Sequence, residues 1–126
     1  MNEFNATAAK SAVLVIDVRQ VIEDLQIDEA GYLDLVGVFL DEVATIREAI
    51  ARALERGREP FTRVSHELGT TLGVVGATRG MHLARDIERA LRAGEPVDLP
   101  LAAASLLREL EAVAQILRSG PSSTVP

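Results

Sequence analysis

The sequence predicts an all-α protein, an up-down four-helix bundle with a short additional helix at its N-terminal side. Apolar residues make up 48% of the 126-residue chain and aromatic residues only 3%, and this alanine- and leucine-rich composition favours helix over sheet. Apolar side chains recur at helical spacing through the long segments, and no segment alternates as a strand does. Short connections between the segments indicate helices that pack as neighbours.

Capping and breaking residues divide the chain into five predicted helices. Asp17 and Asp28 are placed as N-caps, Pro60 suits a first helical turn, and Gly57 and Gly94 are typical of the residue after a helix end. The helices are expected at about residues 18–26, 29–56, 60–75, 79–93 and 100–118. In the first of them, the residues expected to point inward are Val21, Ile22 and Leu25.

One domain is expected, because a chain of this length supports a single hydrophobic core. We predict a helical bundle at residues 12–118, between a flexible arm at 1–11 and a flexible tail at 119–126 that is rich in Ser, Pro and Gly.

Charge and composition exclude several classes of function. The formal net charge of −6 argues against a nucleic-acid binder, which needs a basic surface. The chain has no cysteine, which excludes disulfides and thiolate metal sites. No apolar run approaches the ~18 residues of a membrane span, and the first residues lack the pattern of a signal peptide. A cytoplasmic location without membrane contact is therefore expected.

His66 is the candidate functional residue. At about 100° per residue it lies ~160° from the centre of the apolar stripe of its helix, so its imidazole is expected to face water. Gly69 and Gly73 are expected beside it, although glycine costs about 1 kcal/mol in a helix interior. Small neighbours of an exposed histidine predict the close approach of another molecule. The stripe consists of Phe61, Val64, Leu68, Leu72 and Val75.

A zinc-protease interpretation of the same segment fails at the ligand positions. His66-Glu67 begins an HExxH pattern, but the second ligand position is Thr70 and the third is Gly76. One imidazole cannot hold a catalytic zinc ion that takes three protein ligands. The other polar features are interpreted as surface: His82 as a solvated histidine, and Glu88 with Arg92 as an i,i+4 pair on a wet face.

The residues around His66 resemble the motif of histidine-containing phosphotransfer (HPt) domains, the phosphoryl carriers of two-component relays. Leu68, Gly76 and Ala77 match the family pattern at its spacing after the histidine. The resemblance covers about residues 15–118, with five helices of the expected order and length. Two positions depart from the motif, since the family's lysine is Gly69 here and its following glycine is Thr70.

The resemblance implies that His66 accepts a phosphoryl group from an aspartate of one receiver domain and passes it to another. The chain would then be a phosphocarrier rather than an enzyme, and a monomer or weak dimer. No cofactor is expected in this chain, because Mg²⁺ would be held by the receiver-domain partner. The face that binds response-regulator receiver domains or a hybrid histidine kinase would be lined by Thr62, Arg63, Gly69, Thr70 and Gly73.

Two alternatives to the phosphocarrier stay open, and the replaced lysine points to the first of them. In one, the chain is a non-phosphorylated adaptor that binds a histidine kinase or response regulator. In the other, it is a helical assembly protein whose exposed face serves a dimer. Arg63 is a poor substitute for the lysine, because helical side chains lean toward the N-terminus and Arg63 would lean away from His66. A hydroxyl on Thr70 would lean toward the histidine.

Overall fold

A computed structural model of the protein describes residues 16–120 and contains five helices in that range. We name them α1 (Val18–Leu25), α2 (Glu29–Arg56), α3 (Arg58–Val74), α4 (Thr78–Arg92) and α5 (Leu99–Ser119). No strand occurs between residues 16 and 120, so the all-α prediction is confirmed. The predicted arm at 1–11 and most of the predicted tail lie outside the described residues, while Ser119 still belongs to α5.

The four long helices close into an up-down bundle in chain order. Helix α3 packs between α2 and α4, and α5 packs against both α4 and α2, which completes the ring. Gly57, with φ +111°, is the single residue between α2 and α3. None of the helices between residues 16 and 120 has the length and apolar character that a membrane crossing requires.

Aspartate side chains cap three of the helices. Asp17 accepts a hydrogen bond from the backbone N–H of Gln20, and Asp28 accepts one from Gly31 at 2.8 Å. Asp98 caps α5 in the same way, through the N–H of Leu101 at 3.0 Å. Each cap satisfies a backbone donor that has no partner within its own helix.

The core lies along the bundle axis and is built from the predicted stripes. Leu25 is an exception, because it is the last residue of α1 and 49% of its surface stays exposed. The prediction that Leu25 points inward is therefore wrong. The largest fully buried hydrophobic side chains are Tyr32, Phe61, Ile16, Ile50, Leu72, Leu106 and Leu110.

The end of α3 is tied to two other parts of the bundle. The hydroxyl of Tyr32, at the start of α2, donates a 2.7 Å hydrogen bond to the carbonyl of Val75. Burial raises the pKa of Tyr32 to about 12, so the phenol remains a donor. The backbone N–H of Asp17 donates to the carbonyl of Gly76 at 2.9 Å. These contacts fix the end of the helix that carries His66.

Candidate functional site

His66 stands in the middle of α3 with its ring in solvent. Its side chain is 60% exposed, which confirms the prediction that it faces water. The neighbouring Ser65 and Leu68 are buried on the other side of the helix. The helix therefore holds the backbone of His66 rigidly while leaving the ring accessible.

A carboxylate from the next helix holds one nitrogen of this ring. The Nδ1 atom of His66 lies 3.0 Å from Oε2 and 3.2 Å from Oε1 of Glu88, on α4. Arg92, one turn further along α4, donates from Nε to Oε2 of Glu88 at 2.7 Å. The Glu88 side chain is only 14% exposed. The interpretation of Glu88 and Arg92 as a simple surface pair is therefore wrong, because the antiparallel packing of α4 on α3 places Glu88 against the imidazole.

The charge of Glu88 is stabilised by its two partners. Burial by itself raises the pKa of the carboxyl group, but hydrogen bonds from Arg92 and His66 outweigh it and hold the pKa below its ordinary value. The carboxylate is thus ionised at neutral pH and accepts hydrogen bonds only, which assigns the proton of a neutral imidazole to Nδ1. Among residues 16–120, no other side chain bonds the ring, so Nε2 is open to solvent.

The two glycines near His66 face α4 rather than open solvent. A Cβ atom on Gly69 would lie 3.4 Å from Cγ of Arg85 and 3.5 Å from Cβ of Ala84. One on Gly73 would lie 2.9 Å from Sδ of Met81. Gly69 is buried and Gly73 half-buried, so the prediction that Gly69 lies open beside the histidine is wrong. Their physical effect is to let α4 approach α3 closely.

The remaining predicted site residues lie on the surface of α3 around His66. Thr62, which is half-buried, donates from its hydroxyl to the carbonyl of Arg58 at 2.7 Å. Arg63 is exposed and lies 3.7 Å from Glu59, one turn before it, as its predicted lean requires. The exposed Thr70 donates to the backbone carbonyl of His66 at 3.3 Å, so its hydroxyl bonds the main chain rather than the ring.

A basic groove lies on the N-terminal side of His66, between the start of α3 and the end of α4. Its volume is about 520 Å³. It contains two of the predicted partner-binding residues, and its charged members are three arginines and one glutamate. The lining residues are Arg58, Glu59, Thr62, Arg63, Leu91 and Arg92. The lining side chains thus carry an excess of positive charge in a chain whose formal net charge is −6, although one of the arginines, Arg92, is bonded to Glu88.

The site is an exposed histidine on the outer face of a four-helix bundle, with one ring nitrogen held by a carboxylate. The Hpt domain family matches residues 34–116, a range that includes both His66 and Glu88. The chain belongs to this family and is a histidine phosphotransfer domain of phosphorelay signalling, a class that interacts with receiver domains and histidine kinases.

The fold agrees with that assignment. The chain is similar to the crystal structure of the HPT domain from a sensor hybrid histidine kinase of Shewanella, with a TM-score of 0.71 and 21% sequence identity. The similarity covers 88% of this chain and 97% of the other. No curated protein matches the sequence.

Proposed function

We propose that His66 carries the phosphoryl group, on Nε2, between the aspartates of two receiver domains. The observation that supports this assignment is the contact of Nδ1 with Glu88 at 3.0 Å on a ring whose side chain is 60% exposed. It gives the ring a fixed orientation and leaves the lone pair of Nε2 facing solvent. A neutral imidazole with an available lone pair is a nucleophile near pH 7.

The transfer proceeds by attack of Nε2 on phosphorus. The lone pair of Nε2 forms the N–P bond while the bond between phosphorus and the aspartyl oxygen of the receiver domain breaks, and that electron pair returns to the receiver's carboxylate. The ring keeps its Nδ1 proton and becomes positively charged, a charge that the Glu88 carboxylate stabilises. The reverse sequence delivers the phosphoryl group to a second receiver domain.

The receiver domain supplies the metal ion in this proposal. Mg²⁺ bound there would neutralise the phosphoryl oxygens in the transition state. The chain itself acts as a phosphocarrier and contributes orientation, an accessible nitrogen and a docking surface. A cytoplasmic location and a monomeric or weakly dimeric state remain part of the proposal.

The docking surface is proposed to surround His66 on α3. The exposed or partly exposed side chains on this surface are those of Thr62, Arg63 and Thr70. Gly73 has no side chain, so a partner could approach the helix backbone there. Gly69 contributes indirectly, by allowing α4 and Glu88 to approach. The basic groove around Arg63 extends this surface and complements an acidic partner, since the acceptor sites of receiver domains carry carboxylates.

The two histidines of the chain provide a matched test. The protein is incubated with a receiver domain carrying a ³²P-labelled aspartyl phosphate, and acid-labile, base-stable label is measured on the wild type, His66→Gln and His82→Gln. His82 is exposed on α4 and its side chain bonds no other described residue, so His82→Gln should retain the label. His66→Gln should lose it.

Two results would contradict the proposal in different ways. Label that survives His66→Gln would refute the assignment of the site. Stable binding of the receiver domain without any label on the wild type would instead favour the adaptor, the function that the absence of lysine at Gly69 suggests.

A further inference from the structure

Arg85 covers the backbone of Gly69, one helical turn beyond His66. The space that a Cβ on Gly69 would enter is bounded by Cγ of Arg85 at 3.4 Å and by Cβ of Ala84 at 3.5 Å. Gly69 is buried, whereas Arg85 is exposed. The contact therefore places the stem of a long cationic side chain beside the turn of α3 that follows the histidine.

The guanidinium of Arg85 has no partner within the described part of the chain. Its neighbours on α4 differ, because Arg89 binds Asp86 at 2.8 Å and Arg92 binds Glu88 at 2.7 Å. No hydrogen bond or ion pair with residues 16–120 holds Arg85. An exposed arginine without an internal partner is free to bind an anion from outside the chain.

The packing of α4 on α3 brings Arg85 to the same exposed ridge as His66. The two helices are antiparallel, so Glu88 lies opposite His66, while Arg85, one turn earlier on α4, lies opposite Gly69, one turn later on α3. Residues three apart share a helix face. Arg85 and Glu88 therefore flank the ring from the same side of α4.

A phosphoryl group on His66 would be stabilised by a nearby positive charge. It adds roughly −1.5 to −2 of charge to a site that already contains two carboxylates. One is Glu88, against Nδ1, and the other is Glu67, the next residue in the chain. Arg92, on the same helix as Glu88, is already bonded to that carboxylate. A guanidinium can bind phosphoryl oxygens with two charge-assisted hydrogen bonds, which suits Arg85 to this role.

We propose that Arg85 binds the phosphoryl group carried by His66 and supplies the positive charge that a glycine at position 69 cannot. This inference rests on the proposed function. Gly69 and Arg85 act as a pair, because the absence of a side chain on α3 leaves room for a cation from α4. The charge at this turn thus comes from the neighbouring helix, and not from Arg63, which lies near Glu59.

The test measures the charge around the phosphoryl group directly. In a His82→Gln background His66 is the remaining histidine, since the chain has two. This parent protein is phosphorylated with phosphoramidate, a small donor that needs no docking, and the ³¹P resonance of the phosphohistidine is followed against pH. Arg85→Gln removes the charge and keeps the aliphatic stem on Gly69. The titration midpoint of the phosphoryl group should rise by about one pH unit, as expected for the loss of a cation within ~6 Å.

Matched variants separate charge from packing. Arg85→Lys should titrate near the parent, and so should Arg89→Gln, which removes a neighbouring arginine of the same helix. In the double variant Arg85→Ala with Gly69→Lys, the removed stem frees the space beside position 69, and the lysine should restore the midpoint. Arg85→Ala with Gly69→Ala should not restore it, because alanine occupies the space beside position 69 without supplying a charge.

The outcomes distinguish this inference from the proposed function. Equal titration midpoints for Arg85→Gln and the parent would overturn the role of Arg85. The proposal that His66 is phosphorylated would be unaffected. Absence of phosphohistidine on the parent, with phosphoramidate and with a phosphorylated receiver domain alike, would overturn both. Arg85 is exposed, and equal thermal unfolding of the variants verifies that the comparison is between folded proteins.

Discussion

The Glu88 carboxylate determines which nitrogen of His66 is left open to solvent. It lies 3.0 Å from Nδ1 and is itself bonded to Arg92 at 2.7 Å. An ionised carboxylate at Nδ1 selects the tautomer whose lone pair is on Nε2 and stabilises the ring once it becomes positively charged. On the proposed function, Glu88 is therefore a positioning residue rather than a group that touches the phosphoryl donor.

Removal of this carboxylate should slow phosphorylation of His66. Glu88→Ala frees the ring to rotate and leaves the developing positive charge without its partner. We expect a rate of labelling from a phosphorylated receiver domain that is lower by roughly tenfold, the factor that one charge-assisted hydrogen bond supplies. Glu67→Ala, which removes an exposed carboxylate from the adjacent residue, is the control and should retain most of the rate. Equal losses in the two variants would show that Glu88 acts only through general charge.

The lowered pKa of Glu88 has a consequence for stability against pH. Because the folded-state pKa lies below the ordinary value of 4.5, Glu88 stabilises the fold above that value, and its contribution is lost as the pH falls through the folded-state pKa. The free energy of unfolding of the wild type should exceed that of Glu88→Gln at pH 7, and the difference should disappear in strong acid. Urea unfolding at both pH values measures it. A difference that grows in acid would contradict the sign.

The exposure of His66 could be predicted from the sequence, but its contact with Glu88 could not. The apolar stripe of α3 alone determines that His66 faces water, which is a property of one helix. The contact of Glu88 depends on the register between two helices whose contacting residues are 22 positions apart. A glutamate outside the apolar stripe of α4 can be solvated or can contact a side chain of another helix. The sequence pattern is the same in both cases, so it could not reveal the contact of Glu88.

At the scale of an element, the connection from α3 to α4 depends on Gly76. Its φ is +83°, and a Cβ there would lie 2.8 Å from the carbonyl oxygen of Asp17 and 3.0 Å from Cγ2 of Val21. The left-handed conformation is costly for residues with a Cβ. Here the start of α1 also packs directly on the glycine, so two independent constraints act at one position.

Replacement of Gly76 should therefore cost more than replacement of an equally left-handed glycine elsewhere. Gly94→Ala provides the control, since its φ is +74° and a Cβ there would meet nothing within 4 Å. We expect Gly94→Ala to lower the free energy of unfolding by about 1 kcal/mol and Gly76→Ala by about 2–4 kcal/mol. Urea denaturation of both variants tests this expectation. Equal decreases in the free energy of unfolding for the two variants would mean that the start of α1 can move away from position 76 without an energetic cost.

The positions of the helices were predicted well from the sequence. The burial of Gly69 against the neighbouring helix was not. Asp17, Asp28 and Gly57 lie at helix ends as their capping properties predict. Gly69, in contrast, contributes nothing to an apolar pattern, so the stripe of α3 could not reveal that its flank is covered. A helix in a bundle contacts two neighbours, and its buried surface is wider than a single stripe.

At the scale of the whole molecule, an ion pair joins α4 to α5. Arg79 donates from Nε and Nη2 to the two carboxylate oxygens of Glu109, each at 3.0 Å. The side chains are 27% and 10% exposed, respectively. Loss of one partner would leave the other charge largely buried.

The loss of this carboxylate should destabilise the bundle. For Glu109→Gln we expect a decrease in the free energy of unfolding of roughly 2 kcal/mol, below the value for a fully buried pair because Arg79 is partly exposed. Glu111→Gln is the control on the same helix. Glu111 pairs with Arg47 at a surface where both side chains are about half exposed, and its loss should change stability by less than about 1 kcal/mol. Equal effects in thermal unfolding would contradict the distinction.

The order of the helices was predictable from the chain, since short connections leave an up-down bundle as the simplest arrangement. The ion pair between α4 and α5 was not, because its members are 30 residues apart and neither is marked by a local pattern. Spacing along the chain thus predicted the architecture, while the polar contacts between helices required coordinates.

The hydrogen bond of Tyr32 gives the protein a built-in spectroscopic probe. Tyr32 is the single tyrosine of a chain without tryptophan, so near-ultraviolet absorbance and intrinsic fluorescence come mainly from the place where the start of α2 meets the end of α3. The change in tyrosine fluorescence on unfolding therefore reports the release of the helix that carries His66. In alkali, we expect the phenolate absorbance of Tyr32 to appear at a higher pH than that of free tyrosine, since burial raises its pKa from 10.0 to about 12.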